Sequence, residues 1–352
     1  MSDLTAIGEI IPGLRKELAL LSAKASSVSK GLSAIQTRLV DTAAASQEDA
    51  GVLYSHSVLC QTCLPHRDPK ELRTWERING NIYLLLKAGY ALDPQSGHHV
   101  PVGLPYGAKS RLVLMYINQR AILAKSSTVE VEASLTSFVQ HVLGLAPHGR
   151  NLKLVKEQLL RLARAEISFS RIAMLAGGSS RVTTRDVKII SGYSLWASDN
   201  PNERTQWPSV VELSQEYFQS LMNHAVPLNE SHIAALSHNA MALDIYAWLA
   251  QRLHRVPVER PRFVSWAALH SQFGATYVGK TALRNFRADF RTALHQVLAL
   301  YKDARIEDEE APKARLVAVS GSKAWRSGSP KGLTLYNSPS PVPPKVLIQL
   351  PS

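Results

Sequence analysis

The 352-residue sequence holds only two cysteines, Cys60 and Cys63. That is too few to staple a chain of this size, so a secreted disulfide framework is excluded and a reducing compartment is expected. No apolar run approaches the roughly 18 residues needed to cross a bilayer, and the N-terminus lacks a basic region followed by a short apolar one. A cytoplasmic protein with no membrane partner is the expectation. Acids are also scarce, with 28 Asp and Glu against 40 Lys and Arg. The resulting charge of +12 and pI near 9.7 favour a polyanionic partner, nucleic acid first and an anionic membrane surface second. A nucleotide-binding phosphate loop is missing too. Ser320-Gly321-Ser322-Lys323 and Gly177-Gly178-Ser179-Ser180 lack the full Gly-x4-Gly-Lys-Ser/Thr pattern, and their glycines read as turn chemistry.

What is present suits a globular chain of two compact domains, since 45% of residues are apolar and 19% charged. Leu14, Leu18, Leu21, Ala25, Val28, Leu32, Ile35 and Leu39 recur at steps of four and three, the seam of a coiled coil or of a lone amphipathic helix. Alternation at Ile82, Leu84 and Leu86, then turn signals at Asp93-Pro94 and Ser96-Gly97, predicts a leading hairpin. Helices are predicted over 109–124, 134–143 and 150–165, with a short strand near Val129 and strands over 167–174 and 181–190. Helix, strand, helix, helix, hairpin is the order of a winged helix. The order recurs about 130 residues later, where Ile245-Tyr246-Ala247 echoes Met115-Tyr116-Ile117 and the helix over 265–273 echoes the one ending near Gly144. Strands over 304–307 and 332–336 complete the second unit.

The expected class is therefore mainly α with small β-sheets (α+β), as tandem winged-helix domains behind an N-terminal helical segment. The expected bounds are 1–50 for the helical segment, 51–198 and 199–337 for the two domains, and 338–352 for a Pro-rich tail with no reason to fold. Asp199 to Pro208, rich in turn formers, is the expected linker.

The long helix of the second unit carries the sharpest chemical signal. On a 3.6-residue wheel Leu283, Phe286, Phe290, Ala293 and Val297 make an apolar stripe, while Lys280, Arg284, Arg287 and Arg291 share another side with no acid among them. Like charges at this spacing repel by a few tenths of a kcal/mol each, and a phosphate backbone is the compensating anion. Arg284 and Arg287 are placed to read guanine in the major groove, Lys280 and Arg291 to clamp phosphates. A merely solvated face is the alternative. The equivalent helix of the first unit offers Arg150, Lys153, Arg161 and Arg164, interrupted by Glu157, and serves either DNA or protein contacts. Lys323 and Arg326, in a basic wing over 313–331, suit phosphates or a narrow minor groove.

Enzymatic alternatives are weaker. His56, Cys60, Cys63 and His66 could ligate zinc, but all lie within eleven residues and no second CxxC follows, so no metal and no cofactor are expected and buried cysteines are. Adjacent His98 and His99 point to opposite sides of a strand, which disfavours a metal-dependent nickase.

Leu59-Cys60-Gln61-Thr62-Cys63-Leu64-Pro65, Glu76-Arg77-Ile78-Asn79-Gly80-Asn81, Leu104-Pro105-Tyr106-Gly107, His224-Ala225-Val226-Pro227-Leu228 and the stretch from Ala240 to Leu253 together resemble the RepA-type plasmid replication initiators of proteobacteria. The resemblance covers roughly residues 55 to 340. It implies a non-catalytic protein that binds direct repeats of double-stranded DNA in a plasmid origin, helps open adjacent A-T-rich duplex, and recruits host initiator and replicative helicase proteins. One unit would dominate repeat binding, while the other, or the N-terminal helix, would support a homodimer. A winged-helix transcriptional regulator on an operator is the alternative.

Overall fold

A computed structural model describes residues 51–93, 96–131, 135–143, 146–174, 179–196, 207–309 and 331–342. The N-terminal heptad segment and the wing residues Lys323 and Arg326 lie outside the described residues.

β1 (Val52–His56) runs into one helical turn, α1 (Ser57–Gln61), whose start is capped by His56 Nδ1 accepting from the Val58 amide at 3.2 Å. β2 (Thr74–Asn79) and β3 (Ile82–Lys87) form the expected hairpin. It turns at Gly80, where φ is +58° and a side chain would be strained. β4 (Tyr90–Leu92) pairs with β5 (His99–Pro101). Next come α2 (Gly107–Ala124), β6 (Thr128–Glu130), α3 (Leu135–Ser137) widening into π-helix over Phe138–Val142, α4 (Gly149–Arg164), β7 (Glu166–Met174), β8 (Ser180–Lys188), β9 (Ile190–Trp196) and β10 (Trp207–Leu213). The second half holds α5 (Gln215–His224), β11 (Ala225–Asn229), α6 (Glu230–Leu236), α7 (Ala240–Arg252), β12 (Arg262–Ser265), α8 (Trp266–Phe273), α9 (Ala282–Leu300), β13 (Ile306–Glu309) and β14 (Gly332–Leu335).

Helices and several small sheets make this an α+β arrangement. α2 and α7 form its interior because both are apolar nearly all round, Leu112 to Ile117 in one and Ala240 to Ala250 in the other being buried. Asn239 starts α7 by accepting from the amides of Met241 and Ala242.

Two three-stranded antiparallel sheets share one construction: order β6-β10-β9 in the first half and β12-β14-β13 in the second. In each, the strand that follows the buried interior helix, β6 after α2 and β12 after α7, lies at one edge, and the last strand occupies the centre. The first-half hairpin expected as a wing, 167–174 with 181–190, is not part of such a sheet. β7 and β8 instead extend the leading hairpin into a four-stranded sheet, β2-β3-β7-β8, because Ile167 faces Leu86 and Phe169 faces Leu84 across it. β6 finds its partner in β10, where Val129 and Val211 pair and are both buried. Trp207 and Pro208, expected in the linker, therefore belong to a strand, and strand pairing crosses the 198/199 boundary three times, in β6–β10, β9–β10 and β1–β11.

The start of the tail is also ordered. Ser338 and Val342 are 1% and 2% exposed, Val342 packs against Val52 and Tyr54, and the Tyr301 hydroxyl donates to the Pro339 carbonyl. Proline does not prevent this, since an extended segment can dock without needing every amide.

Candidate nucleic-acid interface

α9 is positioned by its aromatic stripe. Phe286, Phe290, Ala293, Leu294, Val297 and Leu300 are at most 3% exposed. Each large side chain so buried contributes about 1.5–3 kcal/mol. Phe286 and Phe290 meet the Trp266 ring edge-on at 6.4 and 5.6 Å, and Phe273 lies 5.6 Å from Phe290, which fixes α9 against α8. Leu283, expected in the stripe, is 41% exposed instead. It lies in the first turn, before the helix reaches α8. The helix itself begins at Ala282, so Lys280 precedes it and follows Gly279, whose φ is +87°.

The polar side of α9 separates the four expected cations. Lys280 and Arg284 are exposed, while Arg287 is half-buried with its guanidinium 5.6 Å from the Trp266 ring centre. Arg291 departs from its expected role as a phosphate clamp. Its Nε donates to Asp308 Oδ2 at 2.5 Å and Nη2 to Oδ1 at 3.1 Å, a two-pronged pair with strand β13, and it lies 5.1 Å over Trp266. A carboxylate of the same unit neutralises it, so the open basic row is Lys280, Arg284 and Arg287. Asp289 is on the opposite side of the wheel, accepting from the Tyr277 hydroxyl at 2.7 Å.

On α4, Arg150, Lys153 and Arg164 are exposed, with Arg164 donating to the Tyr193 hydroxyl at 3.1 Å. Arg161 is not available to DNA. Its side chain is 14% exposed, pairs with Glu157 at 2.5 Å and Asp68 at 3.8 Å, and donates to the Leu104 carbonyl at 3.0 Å. Glu157, one turn earlier, takes the charge that the wheel left unassigned.

A buried network passed unnoticed in the sequence. Arg111 of α2 donates to both oxygens of Asp244 on α7 at 2.6 Å and to the carbonyls of Leu64 and Gly107 at 2.8 Å. His66 Nε2 lies 2.8 Å from Asp244 Oδ2. The readable signal is Arg111 and Asp244, a base and an acid each set beside a long apolar stretch of its helix, because such charges are buried only when paired.

Among the described residues the one cluster with metal-ligand geometry is Cys63, His66 and Asp244. Its donors are engaged: Asp244 by Arg111 and His66, and the Cys63 thiol by the Gln272 carbonyl. Burial pushes both cysteine thiols up to about 12, so in the metal-free protein both are protonated at neutral pH. His56 and Cys60 are not part of the cluster, and His56 Nε2 lies 2.9 Å from Ser220 Oγ. With Nδ1 accepting from Val58, the proton is on Nε2 and His56 cannot take one from Ser220, so this pair is no nucleophile-base dyad.

Among the described residues no helix is long and apolar enough to cross a membrane. No curated protein matches the chain. Two crystal structures of RctB domains 2 and 3 are similar to it, one at 7% identity with a TM-score of 0.45, covering 72% of this chain and 90% of that one. The other has 8% identity and a TM-score of 0.44, covering 80% of this chain and 96% of that one. Residues 104–268, spanning α2 to the start of α8, match the family model described as plasmid encoded RepA protein, and the likeness to RepA-type replication initiators first read from short phrases holds over that stretch.

Proposed function

We propose that the chain is a plasmid replication initiator that binds repeated sites in its origin as duplex DNA, promotes opening of adjacent A-T-rich duplex, and engages host initiator and helicase proteins without catalysis of its own. The family match over residues 104–268 supports the biological role. The observation that carries the DNA contact is the open row Lys280, Arg284 and Arg287 beside α9, with no acid among them. α9 is the third helix of the unit that begins at α7 and runs α7-β12-α8-α9, whose strand order, β12-β14-β13, suits a winged helix, and in that fold the third helix enters the major groove. The first unit, with β6-β10-β9, is read as the second winged helix, adding Arg150, Lys153 and Arg164 as further contacts or supporting a homodimer.

The test is a binding selection from random duplexes followed by permanganate footprinting on the recovered site. Tandem sites with reactive thymines in a neighbouring A-T-rich stretch are expected. Recovery of no preferred sequence would overturn the reading, and a preferred site without reactive thymines would make the protein an operator-binding regulator.

A further inference from the structure

The β7–β8 ribbon carries its net positive charge on one face. Strand register places Arg77, Leu84, Phe169 and Arg185 in one row across the sheet, then Asn79, Ile82, Arg171 and Thr183, then Ala173 and Arg181. Residues opposite one another in a sheet point to the same side. The near end of that face is core, where Trp75, Leu84, Leu86 and Ile167 are buried and the Phe169 ring stacks on His56 at 6.0 Å. Past Phe169 the face turns outward, and there it presents Arg171, Arg181 and Arg185, all exposed, with no acid in any of the rows. Arg171 is the diagonal neighbour of both others, a Cβ separation of about 7–8 Å at most.

The other face is mixed. Glu166 pairs with Lys188 at 3.9 Å, and the Ser168 hydroxyl donates to Asp186. Among the described residues none of the three arginines forms an ion pair. Protection of an open sheet edge does not account for them, because that device works with either sign and on the edge strand. Arg171 sits on β7, which is flanked on both sides. Among the described residues these three adjacent cations have no ion-pair partner, and an external anion would offset their mutual repulsion.

We propose that Arg171, Arg181 and Arg185 form a second docking surface, for the phosphate backbone of duplex DNA, apart from the row on α9. A single strand would call for exposed aromatic platforms. The one ring in these rows beyond the core, Phe169, is already stacked inside the protein. The Thr183 hydroxyl, between the arginines, adds a donor of the kind that meets phosphate oxygens.

The inference rests on the duplex-binding function proposed above. Its test compares the full chain with the R171A/R181A/R185A and R171K/R181K/R185K variants, by salt titration of binding to a selected duplex site and to a random one. The alanine variant is expected to lower the log-log salt slope by about 2 to 3 on both duplexes, at about 0.9 per phosphate contact, with base preference unchanged. The lysine variant is expected to restore the slope. An unchanged slope in a protein that still prefers its site overturns the ribbon surface alone. A loss confined to single-stranded DNA or to RNA also overturns it. Absence of sequence preference in the wild-type chain overturns the underlying function instead.

Discussion

Asp244 on α7 holds Arg111 of α2 through both carboxylate oxygens, at 2.6 Å each, with the two side chains 9% and 4% exposed. The ion pair joins the two interior helices. Removing one partner buries an uncompensated charge. Asp244→Ala is expected to destabilise the fold by about 3–5 kcal/mol, whereas replacing both with apolar residues of similar volume, R111M/D244L, costs much less. Urea unfolding of the two variants checks this, and equal losses would contradict a pairing role.

Stability should fall as the solution is acidified below neutrality. Burial lowers His56 to about 4, helped by His224, and His232 to about 4, helped by Lys302. In the unfolded chain both titrate near 6.5, so between about 6.5 and 4 the unfolded state binds the extra protons. The contribution is intact above that window and is lost as pH falls through it, at about 1.4 kcal/mol per pH unit for each group. Urea midpoints measured at pH 7.5, 6 and 5 should decline, and a His56→Gln variant should show a shallower decline.

Binding by α9 should divide by position. Arg284→Ala and Arg287→Ala are each expected to cost about 1–3 kcal/mol on the preferred site and to relax base choice, while Lys280→Ala weakens all duplexes alike and flattens the salt slope by about 1. Fluorescence anisotropy on specific and random duplexes separates the classes. Equal losses on both duplexes for all three variants would remove the base-reading role.

Asp308 restrains a cation beside that row. Asp308→Asn takes away the charge that neutralises Arg291, and the loss of that negative charge is expected to strengthen binding to random DNA and steepen the salt slope by about 1. Unchanged random-DNA binding would mean that Arg291 faces away from the duplex.

α4 was legible from its apolar recurrence at 3.6 residues and α2 from the length of its apolar run, and Phe286, Phe290, Ala293 and Val297 are buried as the wheel placed them. Pairing was not legible. Which strand joins β6 depends on Val129 meeting Val211 far along the chain, and no local pattern distinguishes β10 from β7 as its partner. The pairing of Arg291 is hidden in the sequence because Asp308 approaches it only through the fold, whereas the Glu157–Arg161 pair is an i,i+4 contact that the sequence already displays. The ordered start of the tail was hidden because proline content reports on local stiffness, and the cluster of Val52 and Tyr54 that receives Val342 lies almost three hundred residues earlier.

The β1–β11 and β9–β10 ladders bear on any attempt to study the halves apart. A chain severed after residue 198 would strip β1 of β11, and β6 and β9 of β10. Both fragments would expose raw sheet edges and invite aggregation. Dissection therefore favours exchanging single arginines in the intact polypeptide over dividing it.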